Sequence, residues 1–343
     1  MGSDARSIFA EMADVEERVA DNSRELDALL CETRTPFVVR GLVSDWPLVR
    51  AGQESSKAAR QYLAERARPV SFAISIAPAT SKGRLFYDDK MAVNFRDGHG
   101  KLDEIFAGFE KHEGKPDAPT AYLSSIDIPR HFDGVAEENL HPLGARDPVQ
   151  SIWIGTATRI AAHNDFPDNL ACCAVGRRRF TLFPPDQFKN LYLGPIDNTP
   201  AGRPVSMVDF HAPDFDSHPR FAEALAHAQT VELEPGDAIF IPSMWWHHVE
   251  GLADFNVLVN FWWRDTPRFL GQPQDALNHA IMAIRDLPSD DRALWRDLFN
   301  HYVFAPDEGV TGHIPDGKRG ILDPLTAESA SRIRAFLLRS LNR

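Results

Sequence analysis

The chain has 343 residues, a formal net charge of −12, and hydrophobic and charged fractions of 43% and 25%. A chain of this length can bury a large core, and one elaborated β domain with helical attachments fits it better than two independent domains. The acidic balance argues against a nucleic-acid partner, because nonspecific binding to nucleic acid needs a basic face that displaces counterions.

Membrane insertion and a disulfide framework are not expected either. No run of residues approaches the length of a membrane-spanning helix. The N-terminus lacks a basic segment followed by an apolar stretch, so the cytoplasm is the expected compartment. The cysteines are Cys31 and the adjacent pair Cys172 and Cys173. Neighbours on a strand point to opposite faces, and the pair is therefore interpreted as two small buried hydrophobic residues.

The first 34 residues are predicted to form a helical lead-in. Apolar residues recur at helical spacing from Ile8 to Leu30, with an interruption near residues 21–23. The pattern then changes to β-rich segments separated by short helices. The elements predicted in this part of the chain are strands at Phe37–Val39 and Val70–Ile76 and helices at Lys57–Ala67 and Leu102–Phe109.

A His-Asn-Asp tripeptide at residues 163–165 supplies two candidate metal ligands. In an extended strand, residues i and i+2 point the same way. His163 and Asp165 can therefore share the face that lines a barrel interior, while Asn164 faces outward.

The third candidate ligand follows a second predicted strand, Ala238–Pro242. This run is apolar and β-prone, and it follows a turn-forming Pro-Gly-Asp sequence at residues 235–237. The far end of the strand carries the adjacent histidines His247 and His248, and one of the two is expected to bind the metal. The tryptophans interpreted as core residues are Trp245, Trp246 and Trp263.

Two imidazoles and one carboxylate on a single metal form a facial triad, which leaves three coordination positions open. That arrangement suits Fe(II) with a chelating cosubstrate and O₂, whereas a closed structural zinc site lacks the open positions. Each motif alone is equally compatible with histidines that are half-buried in an ordinary core. Their combination with the intervening turn favours the metal-binding hypothesis.

The stretch between the two ligand motifs, residues 186–219, is rich in Pro, Asp and Asn and has little periodicity. It is predicted to be an ordered surface loop. Long connections of this kind either form part of a substrate channel or are ordinary surface excursions, and the composition favours neither.

Helical periodicity returns after Pro267. Two helices that meet near Pro288 are predicted to form a hairpin, and a last helix is predicted at Thr326–Leu341. Their apolar stripes either cap the barrel or form a dimer interface.

Several motifs occur in an order that is informative as a whole. They are Thr35–Pro47, Leu85–Asp89, Tyr122–Leu123, Phe183–Phe188, the turn at 235–237, residues 245–248 and Val259–Trp262. In this order the chain resembles the JmjC-like, cupin-fold 2-oxoglutarate oxygenases, and among them the asparaginyl hydroxylases that act on hypoxia-inducible factor. The resemblance implies a mainly β fold, a double-stranded β-helix or jelly roll. It would form a catalytic domain over residues 35–265, flanked by helices in residues 1–34 and 266–343.

The resemblance also implies roles for individual residues. Because the family ligand is the first histidine of its matching pair, His163, Asp165 and His247 are the implied iron ligands, with His248 as the alternative. The family places a cosubstrate-anchoring lysine two residues after a glycine, and this chain has Arg178 at that position. Arginine keeps the charge and can bind the distal carboxylate of 2-oxoglutarate at two points.

Further pocket residues are implied by the same comparison of motifs. The residues that match cosubstrate-binding or pocket-lining positions are Tyr122, Asn169, Asn260 and Trp262. One position departs from the family, because Ile160 stands where a threonine hydroxyl is found three residues before the His-x-Asp motif. One hydrogen bond to the cosubstrate is therefore expected to be missing.

The function implied by the resemblance is a 2-oxoglutarate- and Fe(II)-dependent hydroxylase that uses O₂ and acts on a protein or peptide side chain or a small molecule. A homodimer is also implied, since the resembled hydroxylases dimerise through C-terminal helices. Two alternatives stay open. The chain could be a metal-binding cupin that acts as a binding or regulatory module, for which Ile160 is the best support. It could also be a nonredox enzyme that holds Zn or Mn in the same triad.

Overall fold

The computed structural model of the protein describes residues 5–342. Residues 1–4 of the predicted lead-in and Arg343 of the predicted C-terminal region lie outside the described residues. The chain divides into two compact units, of which the first ends at Arg264 and the second begins at Asp265. Among the described residues, no helix is both long enough and apolar enough to cross a membrane.

Fifteen strands lie in the described part of the first unit, residues 5–264. In chain order they are β1 Ala13–Asp14, β2 Glu16–Arg18, β3 Phe37–Val39, β4 Phe72–Ala77, β5 Arg84–Leu85, β6 Arg96–Gly100, β7 Thr120–Asp127, β8 Val149–Gly155, β9 Arg159–Asn164, β10 Asp168–Val175, β11 Arg178–Phe183, β12 Gln229–Leu233, β13 Ala238–Ile241, β14 Trp246–Gly251 and β15 Asn256–Trp263.

Helices accompany these strands and make up the second unit. In the first unit they are α1 Ala5–Ala10, α2 Ser23–Glu32, α3 Pro47–Glu54, α4 Ser56–Arg66, α5 Leu102–His112, α6 Ile128–His131, α7 Val135–Glu138 and α8 Phe221–Ala226. In the second unit they are α9 Pro273–Ala283, α10 Ser289–Phe299, α11 Glu308–Thr311 and α12 Ala327–Leu341, with a π-helical turn at Asn300–Phe304.

The strands form two sheets that face each other. The large sheet has the order β2-β3-β13-β10-β15-β8-β7-β4-β6, and the small sheet has the order β1-β12-β11-β14-β9-β5. The eight strands from β8 to β15 are divided equally between the sheets, in the antiparallel neighbours β13-β10-β15-β8 and β12-β11-β14-β9. This is the double-stranded β-helix, and the predicted jelly roll with flanking helices is confirmed.

Alternation along the strands divides the buried side chains among three layers. On β10, Ala171 and Cys173 face the space between the sheets, whereas Cys172 faces the opposite side. We call the first of these layers the interior. Helices α2 to α5 pack on the outer face of the large sheet. The outer face of the small sheet is covered by apolar residues from α1, from the stretch before β12 and from α8. Cys172 and Cys173 are both fully buried, as expected.

The lead-in prediction was wrong in part. Residues 12–19 do not continue a helix, because β1 pairs in parallel with β12 and β2 pairs in parallel with β3. Val15 is buried in the interior, whereas Val19 is exposed. Helical spacing in the sequence could not show that two sheet edges lay within reach to pair with this backbone.

The prediction that one strand at Ala238–Pro242 leads to the two histidines was also wrong in part. It ends at Ile241 in the large sheet, and the two histidines lie on the separate strand β14 of the small sheet. The turn before it requires glycine, since Gly236 has a φ of +104° and a Cβ there would lie 2.4 Å from the Ser44 Oγ. The helices predicted near residues 57–67, 102–109 and 326–341 are confirmed as α4, α5 and α12.

Candidate metal and cosubstrate site

The three side chains proposed as metal ligands meet at one end of the small sheet. His163 on β9 and His247 on β14 are directly opposed, and their ring centroids are 4.4 Å apart. Asp165 follows the end of β9, with its Oδ2 3.7 Å from the His247 Nε2. One ligand atom from each residue lies within 4.8 Å of the other two, so the three could hold one metal ion.

Backbone carbonyls orient both imidazoles of this group. The His163 Nδ1 lies 2.9 Å from the Ala161 carbonyl oxygen, and the His247 Nδ1 lies 3.1 Å from the Trp245 carbonyl oxygen. Each Nδ1 can only donate in such a contact, which leaves the Nε2 of each ring with its lone pair available. In metal-binding histidines, the nitrogen that does not bind the metal typically donates a hydrogen bond, and this bond fixes the tautomer.

Burial also favours the ligand form of His247. Burial, and then the neighbouring His163, lower the pKa of His247 to about 4, although Asp165 opposes the shift. The imidazole is therefore neutral near pH 7, and a neutral imidazole is the form that binds a metal.

His248 points to the opposite side of β14. Its cross-strand neighbour is Thr181, and its ring packs 4.7 Å from that of Phe210, on the outer face of the small sheet. Strand alternation thus separates the two adjacent histidines, and His248 is not brought together with His163 and Asp165.

Arg178 lies on β11 and is buried in the interior, with 1% of its surface exposed. None of its three guanidinium nitrogens has a hydrogen-bond partner among the described residues. The flanking Arg177 is exposed, and Arg179 faces outward to Glu232. A buried cation without a partner is costly, so the interior is suited to an anionic ligand.

Tyr122 on β7 lies close to Arg178 in the interior. Burial raises the pKa of Tyr122 to about 12, although the charge of Arg178 opposes the shift. The two groups are therefore close enough to interact, and the contact with Arg178 favours the ionised form of Tyr122. The Tyr122 ring stacks on that of Trp153, with centroids 6.0 Å apart.

The remaining predicted pocket residues are joined to one another through Trp153. The Trp153 Nε1 donates to the Asn260 Oδ1 at 2.7 Å, and the Asn260 Nδ2 donates to the Asn169 Oδ1 at 3.3 Å. Trp262 packs edge-on against Trp153, with centroids 5.8 Å apart. Its buried Nε1 has no partner in the described part of the chain.

Trp153 was missed by the sequence analysis. Its signal was present, because Ser151, Trp153 and Gly155 alternate with Ile152 and Ile154 in the strand before the His-x-Asp motif. Alternation shows that Trp153 lies on one face, but only the strand order puts β8 beside β15 and β7.

Ile160 lies on β9, where it pairs with Val249 of β14 and with Leu85 of β5. It packs both against the apolar residues of the interior and against the group that contains Tyr122. The position that carries a threonine hydroxyl in the resembled oxygenases is therefore apolar and borders the predicted cosubstrate pocket.

The long stretch before β12 covers the small sheet from outside. Leu191, Val208 and Phe210 of this stretch are buried against its outer face. The metal-ligand group faces the interior, on the other side of the same sheet. This burial accounts for the order of the stretch.

Comparison with known proteins identifies the family. A model of the cupin-like domain matches residues 23–269, and the chain belongs to this family. The HSPB1-associated protein 1 homolog of Danio rerio is 29% identical over 197 residues, which are 56% of this chain and 42% of that protein.

Two further relatives carry names that refer to an activity. The tRNA wybutosine-synthesizing protein 5 of Danio rerio is 33% identical over 177 residues, 49% of this chain and 50% of that protein. The lysine-specific demethylase JMJ31 of Arabidopsis thaliana is 35% identical over 115 residues, 33% of this chain and 20% of that protein. The chain thus spans half or less of the length of these relatives.

Proposed function

We propose that the protein is an Fe(II)- and 2-oxoglutarate-dependent oxygenase that hydroxylates a protein or peptide side chain or a small molecule. The observation that carries this proposal is Arg178, a buried guanidinium that has no hydrogen-bond partner by distance and angle among residues 5–342 and faces the same interior as His163, Asp165 and His247. A dicarboxylate that chelated a metal at these three ligands would leave its far carboxylate for such a cation.

The donor set fits iron in an open site. His163, Asp165 and His247 would hold the ion on one side and leave other positions free for cosubstrate and O₂. When bound, the iron would supply the oxidative chemistry together with 2-oxoglutarate and O₂.

The protein would contribute orientation and the exclusion of water. Arg178 and Tyr122 would bind the far carboxylate, while the linked amides of Asn169 and Asn260 and the indole of Trp262 would shape the pocket around the cosubstrate. Burial of these groups strengthens each polar contact, because the local dielectric constant is low.

The proposed class of substrate rests on the charge of the chain. The net charge of −12 favours a protein, peptide or small molecule over nucleic acid. The activities named for the relatives stay with those proteins, since each shares at most about half of its length with this chain.

A noncatalytic metal-binding module is the second candidate, and Ile160 is the observation that favours it. An isoleucine beside the pocket removes one hydroxyl contact to the cosubstrate, as described above. A nonredox enzyme that holds Zn or Mn in the same triad is the third candidate, because the ligand types alone do not set the metal.

The test is anaerobic addition of Fe(II) and 2-oxoglutarate, followed by turnover in air without added substrate. We expect a visible charge-transfer band on addition of 2-oxoglutarate, and then slow release of succinate. A band without succinate would favour the binding module. Iron binding without a band, with activity only in Zn or Mn, would favour the nonredox enzyme.

We further propose that the protein is a homodimer joined through its second unit. Large apolar side chains are exposed on α10 and α12, and they include Leu294, Trp295, Phe336 and Leu338. Burial of apolar surface stabilises association by roughly 25 cal/mol per Å². Light scattering at micromolar concentration should give the mass of two chains, and replacement of Phe336 by Glu should reduce it. A single-chain mass for the unsubstituted protein would exclude the dimer.

A further inference from the structure

A second group of potential metal ligands lies on the outer face of the small sheet. It consists of His211, His248 and Glu250, and one ligand atom from each lies within 4.8 Å of the other two. His248 and Glu250 are two residues apart on β14 and therefore share a face, whereas His211 comes from the covering stretch before β12.

His248 has no hydrogen-bond partner in this environment. It is 5% exposed, and neither ring nitrogen is bonded to any residue that the structure describes. Its Nε2 is 3.9 Å from the Glu250 Oε2, which is beyond hydrogen-bond range. Buried imidazoles ordinarily satisfy at least one nitrogen, so the two unsatisfied nitrogens of His248 leave this ring free to bind a ligand.

The other two side chains already approach one another. The His211 Nε2 lies 2.5 Å from the Glu250 Oε1, and Glu250 also accepts a hydrogen bond from the Arg179 Nη1 at 3.2 Å. Burial tends to raise the pKa of Glu250, but the His211 contact and the neighbouring cations lower it to about 2. A carboxylate can accept at both of its oxygens, so Glu250 has lone pairs left for a metal.

Neighbouring arginines are paired and do not exclude a cation. Arg84 and Arg159 each lie 3.5 Å from Asp209, and Arg179 lies 2.6 Å from Glu232. The three acids Asp209, Glu232 and Glu250 thus equal these three arginines in number.

We propose that His211, His248 and Glu250 bind one zinc ion, at a site separate from that of His163, Asp165 and His247. Two imidazole nitrogens and one carboxylate form a known zinc ligand set, with water as the fourth ligand. Ligands of a tetrahedral zinc ion lie roughly 3.4 Å apart, so small side-chain movements would close the group on the metal. Thr181, whose buried hydroxyl has no partner within residues 5–342, lies opposite His248 and is available to the water.

The ion would attach the covering stretch to the sheet. His211 is the ligand from that stretch, and β14 supplies the other two on the strand whose opposite face presents His247. Zinc at the outer face would therefore tie the covering stretch to β14 without taking part in chemistry at the interior.

The experiment measures Zn²⁺ binding to the full chain after chelator treatment, by equilibrium dialysis and metal analysis. His163→Ala/Asp165→Ala removes the interior site, and this variant should still bind about one Zn²⁺ per chain. Addition of His211→Ala should abolish that binding or weaken it by more than tenfold. His211 is partly exposed, so the substitution should leave the fold intact, and His211→Gln serves as a second variant if it does not.

His227→Ala is the matched control, because His227 is an exposed histidine near the same stretch that lies outside the group. It should leave Zn²⁺ binding unchanged. The proposal is overturned if the variant without the interior ligands binds no Zn²⁺, or if His211→Ala binds it as tightly as the control. If only the proposed interior site were wrong, the unsubstituted chain would bind about one Zn²⁺, and His211→Ala alone would abolish that binding.

Discussion

His247 and His248 are neighbours in sequence, yet they belong to different regions of the molecule. His247 faces the interior, where a backbone carbonyl fixes its Nδ1 and leaves its Nε2 directed towards His163 and Asp165. His248 faces the outer side, where neither ring nitrogen is bonded within the described residues. Both are buried, and burial is the main cause that lowers the pKa of each to about 4.

The comparison shows that burial and protonation do not distinguish a ligand of the interior site from its neighbour. The direction of the side chain and the partner of its second nitrogen make the distinction. Substitutions on the two faces of β14 and β11 should therefore have separable effects, which the following predictions test.

The largest effect is expected from the interior ligands. His163→Ala, Asp165→Ala and His247→Ala should each abolish the charge-transfer band of the Fe(II) protein with 2-oxoglutarate, because these are the three side chains that we propose as ligands of the interior metal. The measurement is an anaerobic titration followed by visible absorption. His248→Ala is the control and should keep the band. If His248→Ala lost the band while His247→Ala kept it, the assignment of faces would be wrong.

A smaller effect is expected at the cosubstrate anchor. A charge-assisted contact contributes about 1.5–3 kcal/mol, so Arg178→Ala should weaken 2-oxoglutarate binding by roughly one to two powers of ten. Iron binding should survive. Arg178→Lys should recover part of the loss, since the charge remains while the two-point geometry is lost.

Arg177→Ala provides the matched control for this pair, because Arg177 is exposed and is next to the anchor in sequence. Its affinity for 2-oxoglutarate should equal that of the unsubstituted protein. Equal affinity in Arg178→Ala and Arg177→Ala would show that the buried guanidinium is not the anchor.

The smallest effect is expected from restoring the missing hydroxyl. Ile160→Thr places a hydroxyl where the resembled oxygenases have one, and a neutral hydrogen bond contributes about 0.5–1.5 kcal/mol. We expect roughly two- to tenfold tighter binding of 2-oxoglutarate in the same titration. Ile160→Val is the control, because valine has nearly the same shape as threonine but lacks the hydroxyl. It should not tighten the binding of 2-oxoglutarate. Equal affinities for the two variants would show that a hydroxyl at position 160 makes no contact with 2-oxoglutarate.

Much of the interior site could be anticipated from local pattern and resemblance. A period of two along a strand puts residues 163 and 165 on one side, and it separates 178 from its arginine neighbours. The order of motifs predicted the jelly roll, since that order matches a known family over most of the β domain. The ends of elements were less certain, as the strand that stops at Ile241 shows.

Other features depended on contacts between segments that are distant in sequence. Residues 12–19 have helical spacing, but free sheet edges pair with them as strands. Trp153 joins the pocket only because β8 lies between β15 and β7. His211 meets His248 and Glu250 only because the covering stretch folds over the outer face of the small sheet.

The sequence by itself thus determined which side chains are candidate ligands of an interior metal, the alternation that turns His247 and His248 apart, and the class of fold. Only the tertiary structure decided that His248 would lie beside His211 and Glu250 with two nitrogens unbonded in the described part of the chain, and that Arg178 would be buried in the interior. The physical reason is that side-chain direction follows from local backbone geometry, whereas burial and pairing depend on which distant strands and loops pack together.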